Sequence, residues 1–263
     1  MQDVQNQSDK RNIPIDQVGV KDLTYPIILL DRENEVQKTV ASINMYVNLP
    51  HDFRGTHMSR FVEILNQHHH KLQIDSLDEV LLKMKKRLKA EEAHIEVFFP
   101  YFLEKYAPVS EAKSMMKYEC SFTGNLREDL DFVLGVKVPV NTLCPCSKEI
   151  SESGAHNQRS IISIKVRYNE LIWIEELIEI AEQAASSPVY SLLKREDEKY
   201  VTEAAYDNPK FVEDVVRNLA LALNKDDRIY WYKVESENFE SIHNHNAYAL
   251  IEKDKRENPD DCL

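Results

Sequence analysis

A chain of 263 residues with 43% hydrophobic and 30% charged side chains carries enough apolar material for one large core or two ordinary ones. Its formal net charge of -12 argues against a general nucleic-acid binder, which needs clustered Lys and Arg, but leaves room for an anionic small molecule in a local basic pocket. No apolar run approaches the roughly 18 residues of a membrane span, so no membrane partner is expected.

Residues 1–12 are polar, lack the apolar stretch of a secretory signal and are expected to be disordered. Strands are predicted over residues 19–31 and 38–48, rich in Val, Ile and Tyr. Residues 59–67 carry Phe61, Val62, Ile64 and Leu65 in a helical stripe, and the run His68-His69-His70 is expected in solvent beyond it. Ser76-Leu77-Asp78-Glu79 reads as a capping box opening a second helix, with Leu77, Val80, Leu81, Met84 and Leu88 on one face. Strands follow over 94–102 and 113–123.

The order then repeats. Strands are predicted over 131–143 and 160–168, and a helix over 172–184 turns Ile174, Leu177, Ile178 and Ala181 inward. Asn208 is read as the cap of a further helix with Pro209 at its first position and a stripe of Val212, Val215, Val216, Leu219 and Leu223. Strands over 229–234 and 246–251 close the sheet. Two rounds of ββααββ imply an α+β fold of antiparallel sheets with helices on one face, divided into units over 13–126 and 127–252, with a charged tail over 253–263.

The segment Leu143-Cys144-Pro145-Cys146-Ser147-Lys148, followed by Gly154-Ala155-His156-Asn157-Gln158-Arg159-Ser160, holds the chemistry. Two of the four cysteines in a Cys-x-Cys do not suggest a disulfide framework, and a reducing cytosol suits them better. Buried thiols are often ordinary small hydrophobes, but Pro145 breaks the strand and turns the side chains out of the sheet. After a turn at Ser153-Gly154, one of the cysteines and His156 can converge on a metal with an open position, as water activation requires. Which cysteine binds is open on this ground.

Other polar residues have ordinary readings as well. His243 and His245 would share a face of a strand, though loop histidines are common. Glu213 flanks an apolar stripe and pairs by spacing with Arg217, or else accepts two donors from a planar substrate. Arg195-Glu196-Asp197-Glu198-Lys199 reads as a solvated charge run, although catalytic zinc usually adds a carboxylate to His and Cys. His94-Ile95-Glu96 lacks the second half of a zinc deaminase signature, and five glycines in all leave no phosphate-cradling loop.

The segment from Leu143 to Ser160 resembles the signature of the type IB GTP cyclohydrolases. Asp197-Glu198-Lys199, Thr202-Glu203-Ala204-Ala205-Tyr206, Asn208-Pro209-Lys210-Phe211-Val212-Glu213-Asp214 and Glu240-Ser241-Ile242-His243-Asn244-His245 resemble that family in the same order. The resemblance covers residues 13–252. It implies tandem tunnelling-fold units, a cytoplasmic homotetramer with active sites at subunit interfaces, and hydrolysis of GTP at C8. The products would be formate and 7,8-dihydroneopterin triphosphate, at the first step of folate biosynthesis. It further implies one divalent metal (zinc, with manganese or iron as substitutes) held by Cys144, His156 and Glu198. Glu213 would anchor guanine, His243 would shuttle protons, Cys146 would stand behind the metal ligands, and Glu240 would handle substrate or protons. Lys148 and Arg159 are the nearest cations in sequence for the triphosphate. Two alternatives share some of these residues: a nitrile reductase of the same fold with a Cys nucleophile and NADPH, and a non-catalytic purine- or pterin-binding module.

Overall fold

The computed structural model describes residue 7 and residues 9–68 and 77–257. Most of the expected N-terminal segment, Ser76 of the capping box, His69, His70 and the end of the charged tail lie outside the described residues.

Contacts divide the chain into two units, one reaching to Pro100 and including Ser121–Leu134, the other made of Tyr101–Cys120 and the chain from Gly135 onward. The first contains β1 (Ile15–Asp31), β2 (Glu35–Leu49), α1 (Met58–His68), α2 (Leu77–Leu88), the start of β3 (Ala93–Tyr106) and the end of β4 (Lys113–Leu126). β2 pairs antiparallel with β1 and with β3. Its side chains alternate, so Ala41, Ile43, Met45, Val47 and Leu49 are buried. The register of β1 and β2 slips between Val20 and Leu23. Next to this slip Gly19 lies so close to β2 that a Cβ there would run into the Met45 carbonyl.

α1 and α2 pack on each other and on β1 and β2. Both apolar stripes are as the periodicity predicts, with one correction. His68 is 6% exposed rather than solvated, because it continues the row of Phe61, Ile64 and Leu65 by one helical repeat. Its Nε2 lies 2.6 Å from the Lys83 ammonium.

The second unit contains β5 (Leu130–Leu143) from Gly135 on, α3 (Pro145–Ile150), β6 (Asn157–Tyr168), α4 (Ile174–Ala184), β7 (Ser187–Pro188), α5 (Arg195–Asp207), α6 (Val212–Asn224), β8 (Ile229–Asn238) and β9 (Ala247–Asp254). β6, β8 and β9 form an antiparallel run, β7 adds to β5, and α6 packs on β8 and β9. Three elements here were not expected: α3, β7 and α5. Within α5 only Asp197 and Ala205 are buried, so it has no apolar stripe to reveal it.

Asp197 explains why α5 forms there. It is fully buried and accepts from the amides of Val109 (2.9 Å), Ser110 (2.8 Å) and Lys194 (2.7 Å) and from the Ser110 hydroxyl (2.5 Å). Burial opposes ionisation, but these donors outweigh it and hold the carboxyl well below the usual carboxylate range. The expected solvated run is therefore anchored by its middle residue. Two further tethers bind the β3–β4 tip to α4: Tyr101 donates to Glu175 at 2.7 Å, and Lys105 and Tyr118 both reach Glu182, at 2.5 and 3.1 Å.

Asn208 also corrects an expectation. It ends α5, its amide donating to the carbonyls of Ala185 and Ser186, whereas α6 begins after Phe211, whose amide bonds to Asp214. Pro209 closes the earlier helix instead of opening the later one. Among the described residues no helix is long and apolar enough to cross a membrane.

Candidate active site

β5 delivers Cys144 to the mouth of a short loop that returns to β6. Pro145 occupies the first position of α3, where its missing N–H costs nothing, and the Cys144 sulfur caps the helix by accepting from the Ser147 amide at 3.4 Å. Gly154, with φ of +87°, takes the left-handed conformation that turns the chain back. The Ser147 hydroxyl accepts from the His156 amide at 3.2 Å, and the Cys144 amide donates to the His156 carbonyl at 3.1 Å. Cys144 and His156 are thereby neighbours by backbone pairing. Cys146 is exposed on α3.

The turn between β8 and β9 adds the next groups. Glu240 places a carboxylate oxygen 3.7 Å from His156 Nδ1, both side chains being largely buried. His243 meets His156 edge-on, with ring centroids 6.3 Å apart, and stacks on His245 at 5.0 Å with 23° between planes. The two histidines do face together, but from a turn rather than a strand.

Glu198 stands apart, exposed on the first turn of α5. Among the described residues no three His, Cys, Asp or Glu side chains form a group able to hold a metal ion. α5 does reach the loop through its later turns: Thr202, Glu203, Tyr206 and Asp207 line a cleft of about 520 Å³ with Leu143, Gly154, Ala155 and Asn157. Lys148 is engaged there, its ammonium 4.2 Å from the Tyr206 ring centre and 2.5 Å from that residue's carbonyl.

Glu213 is exposed in the first turn of α6. Its expected pairing with Arg217 does not form: Arg217 turns to Asp214 at 3.9 Å, using the oxygen not committed to the Phe211 amide. Arg159 is exposed on β6, beside Gln158, Ile161, Phe239 and Ser241 around a shallow depression of about 560 Å³.

Residue-by-residue sequence reasoning gave no role to the polar groups behind His156. Gln158 bonds its Nδ1 at 2.9 Å and donates to Thr142 at 2.9 Å, and Thr142 and Ser160 share a 2.8 Å bond between hydroxyls. Strand alternation carries the signal, since residues 156, 158 and 160 fall on one face.

Residues 1–249 match a family described as type I GTP cyclohydrolase folE2. The GTP cyclohydrolase FolE2 of Geotalea uraniireducens is 61% identical over 257 residues, covering 98% of this chain and 95% of the relative. That of Geobacter sulfurreducens is 60% identical over 256 residues (97% and 99%), and that of Thermosipho africanus 56% over 258 (98% and 100%). Among solved structures, urate oxidase from Bacillus sp. TB-90 superposes with a TM-score of 0.56 at 9% identity, covering 91% of this chain and 100% of the other. A uricase from Bacillus fastidious gives 0.57 at 8% identity, covering 95% of each chain. Such low identities show a likeness of fold alone.

Proposed function

Because the chain belongs to the type I GTP cyclohydrolase folE2 family, it is a GTP cyclohydrolase of folate biosynthesis, and we propose that it hydrolyses GTP at C8, releasing formate and forming 7,8-dihydroneopterin triphosphate. The observation that carries this chemistry is the meeting of the Cys144–His156 loop with Glu240 and His243 from a distant part of the chain.

A thiol, an imidazole and a carboxylate form a donor set that suits Zn²⁺, Mn²⁺ or Fe²⁺, and two of the three, Cys144 and His156, are already neighbours. Cys144 and His156 would hold one ion per site, with Glu198, which stands apart in this structure, brought in from α5 as the carboxylate. Once bound, the ion supplies the Lewis acidity that makes water a nucleophile near neutral pH. The protein's own side chains do the rest. His243 carries a proton to the leaving ring nitrogen, and Glu240, beside His156, assists at the same place. Cys146, exposed on α3, would serve as a second thiol close to the ligands in sequence. Glu213, with no ion-pair partner among the described residues, accepts the adjacent N1–H and 2-amino donors of guanine, a pattern adenine lacks. Arg159 meets the triphosphate. Lys148 joins it by leaving Tyr206.

In this reading the sequence carries tandem tunnelling-fold repeats over 13–126 and 127–252, whose bounds differ from those of the two contact units, in a cytoplasmic homotetramer with interface active sites. Supporting an interface near the site are Phe239 (44% exposed), Ile242 (66%), Tyr248 (57%) and Leu250 (41%), apolar side chains clustered in sequence around the β8–β9 turn. The test is incubation of the purified protein with GTP and Zn²⁺ or Mn²⁺. Formate and a pterin fluorescent after oxidation should appear and be abolished by chelation. GTP binding without either product would favour a purine-binding module instead.

A further inference from the structure

We infer that Gln158 is a positioning residue that fixes which ring nitrogen His156 offers to a metal, an inference that rests on the metal reading above. A histidine ligates through a nitrogen lone pair, so the proton must sit on the other nitrogen. Gln158 faces Nδ1 at 2.9 Å and is 6% exposed. If its amide oxygen faces the ring, Nδ1 carries the proton and Nε2 is free to bind. If its amino group faces the ring, Nε2 is protonated and cannot bind.

The buried groups behind Gln158 decide between the two. Its far end bonds to Thr142 at 2.9 Å, and Thr142 to Ser160 at 2.8 Å, with both hydroxyls fully buried. The Thr142 hydroxyl accepts there from the Gln158 amino group, which leaves the amide oxygen turned to the ring. A Glu240 carboxylate oxygen lies 3.7 Å from the same Nδ1 and can only accept. Nδ1 thus faces two acceptors, and a proton there serves both, whereas a lone pair would leave them unmatched. This circuit of Thr142, Gln158 and Glu240 places the proton on Nδ1.

The test reads the tautomer without any metal. In metal-free protein labelled with ¹⁵N-histidine, a two-bond ¹H–¹⁵N correlation spectrum, assigned with His156→Gln, should show His156 protonated at Nδ1. Gln158→Glu, which can still accept, should keep that tautomer and the wild-type Zn²⁺ affinity measured by chelator competition. Gln158→Leu should give a tautomer mixture and bind Zn²⁺ about 10- to 100-fold more weakly. Thr142→Val, which removes the acceptor that holds the Gln158 amide in this orientation, should also mix the tautomers, and serves if Gln158→Leu does not fold. An Nε2-protonated wild type would overturn the inference, as would equal Zn²⁺ losses in the Glu and Leu variants. If Cys144→Ala leaves Zn²⁺ affinity unchanged, the metal reading fails, while the tautomer spectrum still judges the circuit.

Discussion

Replacing Thr142 by Val isolates the energetics of the polar seam behind His156. Val has nearly the same shape, so no cavity opens and the loss is purely of hydrogen bonding. Two bonds disappear, at 2.9 Å to Gln158 and 2.8 Å to Ser160, in a residue with 0% exposure. Each is worth about 1 kcal/mol net, and the Gln158 amino group is left buried without a partner at a further ~1–3 kcal/mol. A total of about 3–5 kcal/mol should lower the melting temperature by roughly 6–20 °C for a chain of this size. Thr142→Ser keeps the hydroxyl and removes one methyl, about 1 kcal/mol and roughly 2–4 °C. Differential scanning calorimetry of the metal-free protein makes the comparison. A Val variant melting as high as the Ser variant would mean that the seam contributes nothing and that its geometry is incidental.

Gly19→Ala forces a Cβ into the Met45 carbonyl, so β1 and β2 must separate; a loss of about 1–3 kcal/mol should appear in thermal melts. Asp197→Asn puts donor against donor at the start of α5, and amide exchange at Val109, Ser110 and Lys194 should accelerate, as hydrogen-exchange mass spectrometry would report. Asp254 is held down to about 2 by its hydrogen bond from Arg256. Its contribution to stability is therefore complete above the ordinary carboxylate value of ~4 and lost as the pH falls from there through the folded value. Arg256→Ala should return Asp254 toward ~4 in an NMR titration. Cys144→Ala should empty the metal site, whereas Glu213→Gln should keep the metal and lose preference for GTP; equal metal loss in both, by elemental analysis, would mean the two roles are misassigned.

Helices α1, α2, α4 and α6 were legible because each buries a row of apolar residues at helical spacing, and that spacing survives in a bare sequence. α5 was not legible, because one buried carboxylate anchors it to a turn remote in the chain. Asn208 was misread for a related reason. Its side chain serves carbonyls of Ala185 and Ser186, so a local rule about caps had no access to its partners. At the site, His156 and one of the two nearby cysteines were readable together because one short loop joins them, but spacing left open which cysteine, and it is Cys144 that pairs with His156. Their approach to Glu240 depends on pairing between β6 and β8, which a resemblance can suggest but spacing cannot.

The strands β3 and β4 begin and finish in one unit, while their outer ends, Tyr101–Cys120, belong to the other. No single break in the polypeptide can therefore release two self-sufficient halves. A fragment starting at residue 127 would lose Tyr101, Lys105, Ser110 and Tyr118, and with them the groups that satisfy Glu175, Glu182 and Asp197. The second unit is therefore completed by twenty residues, Tyr101–Cys120, that the chain supplies from between two stretches of the first.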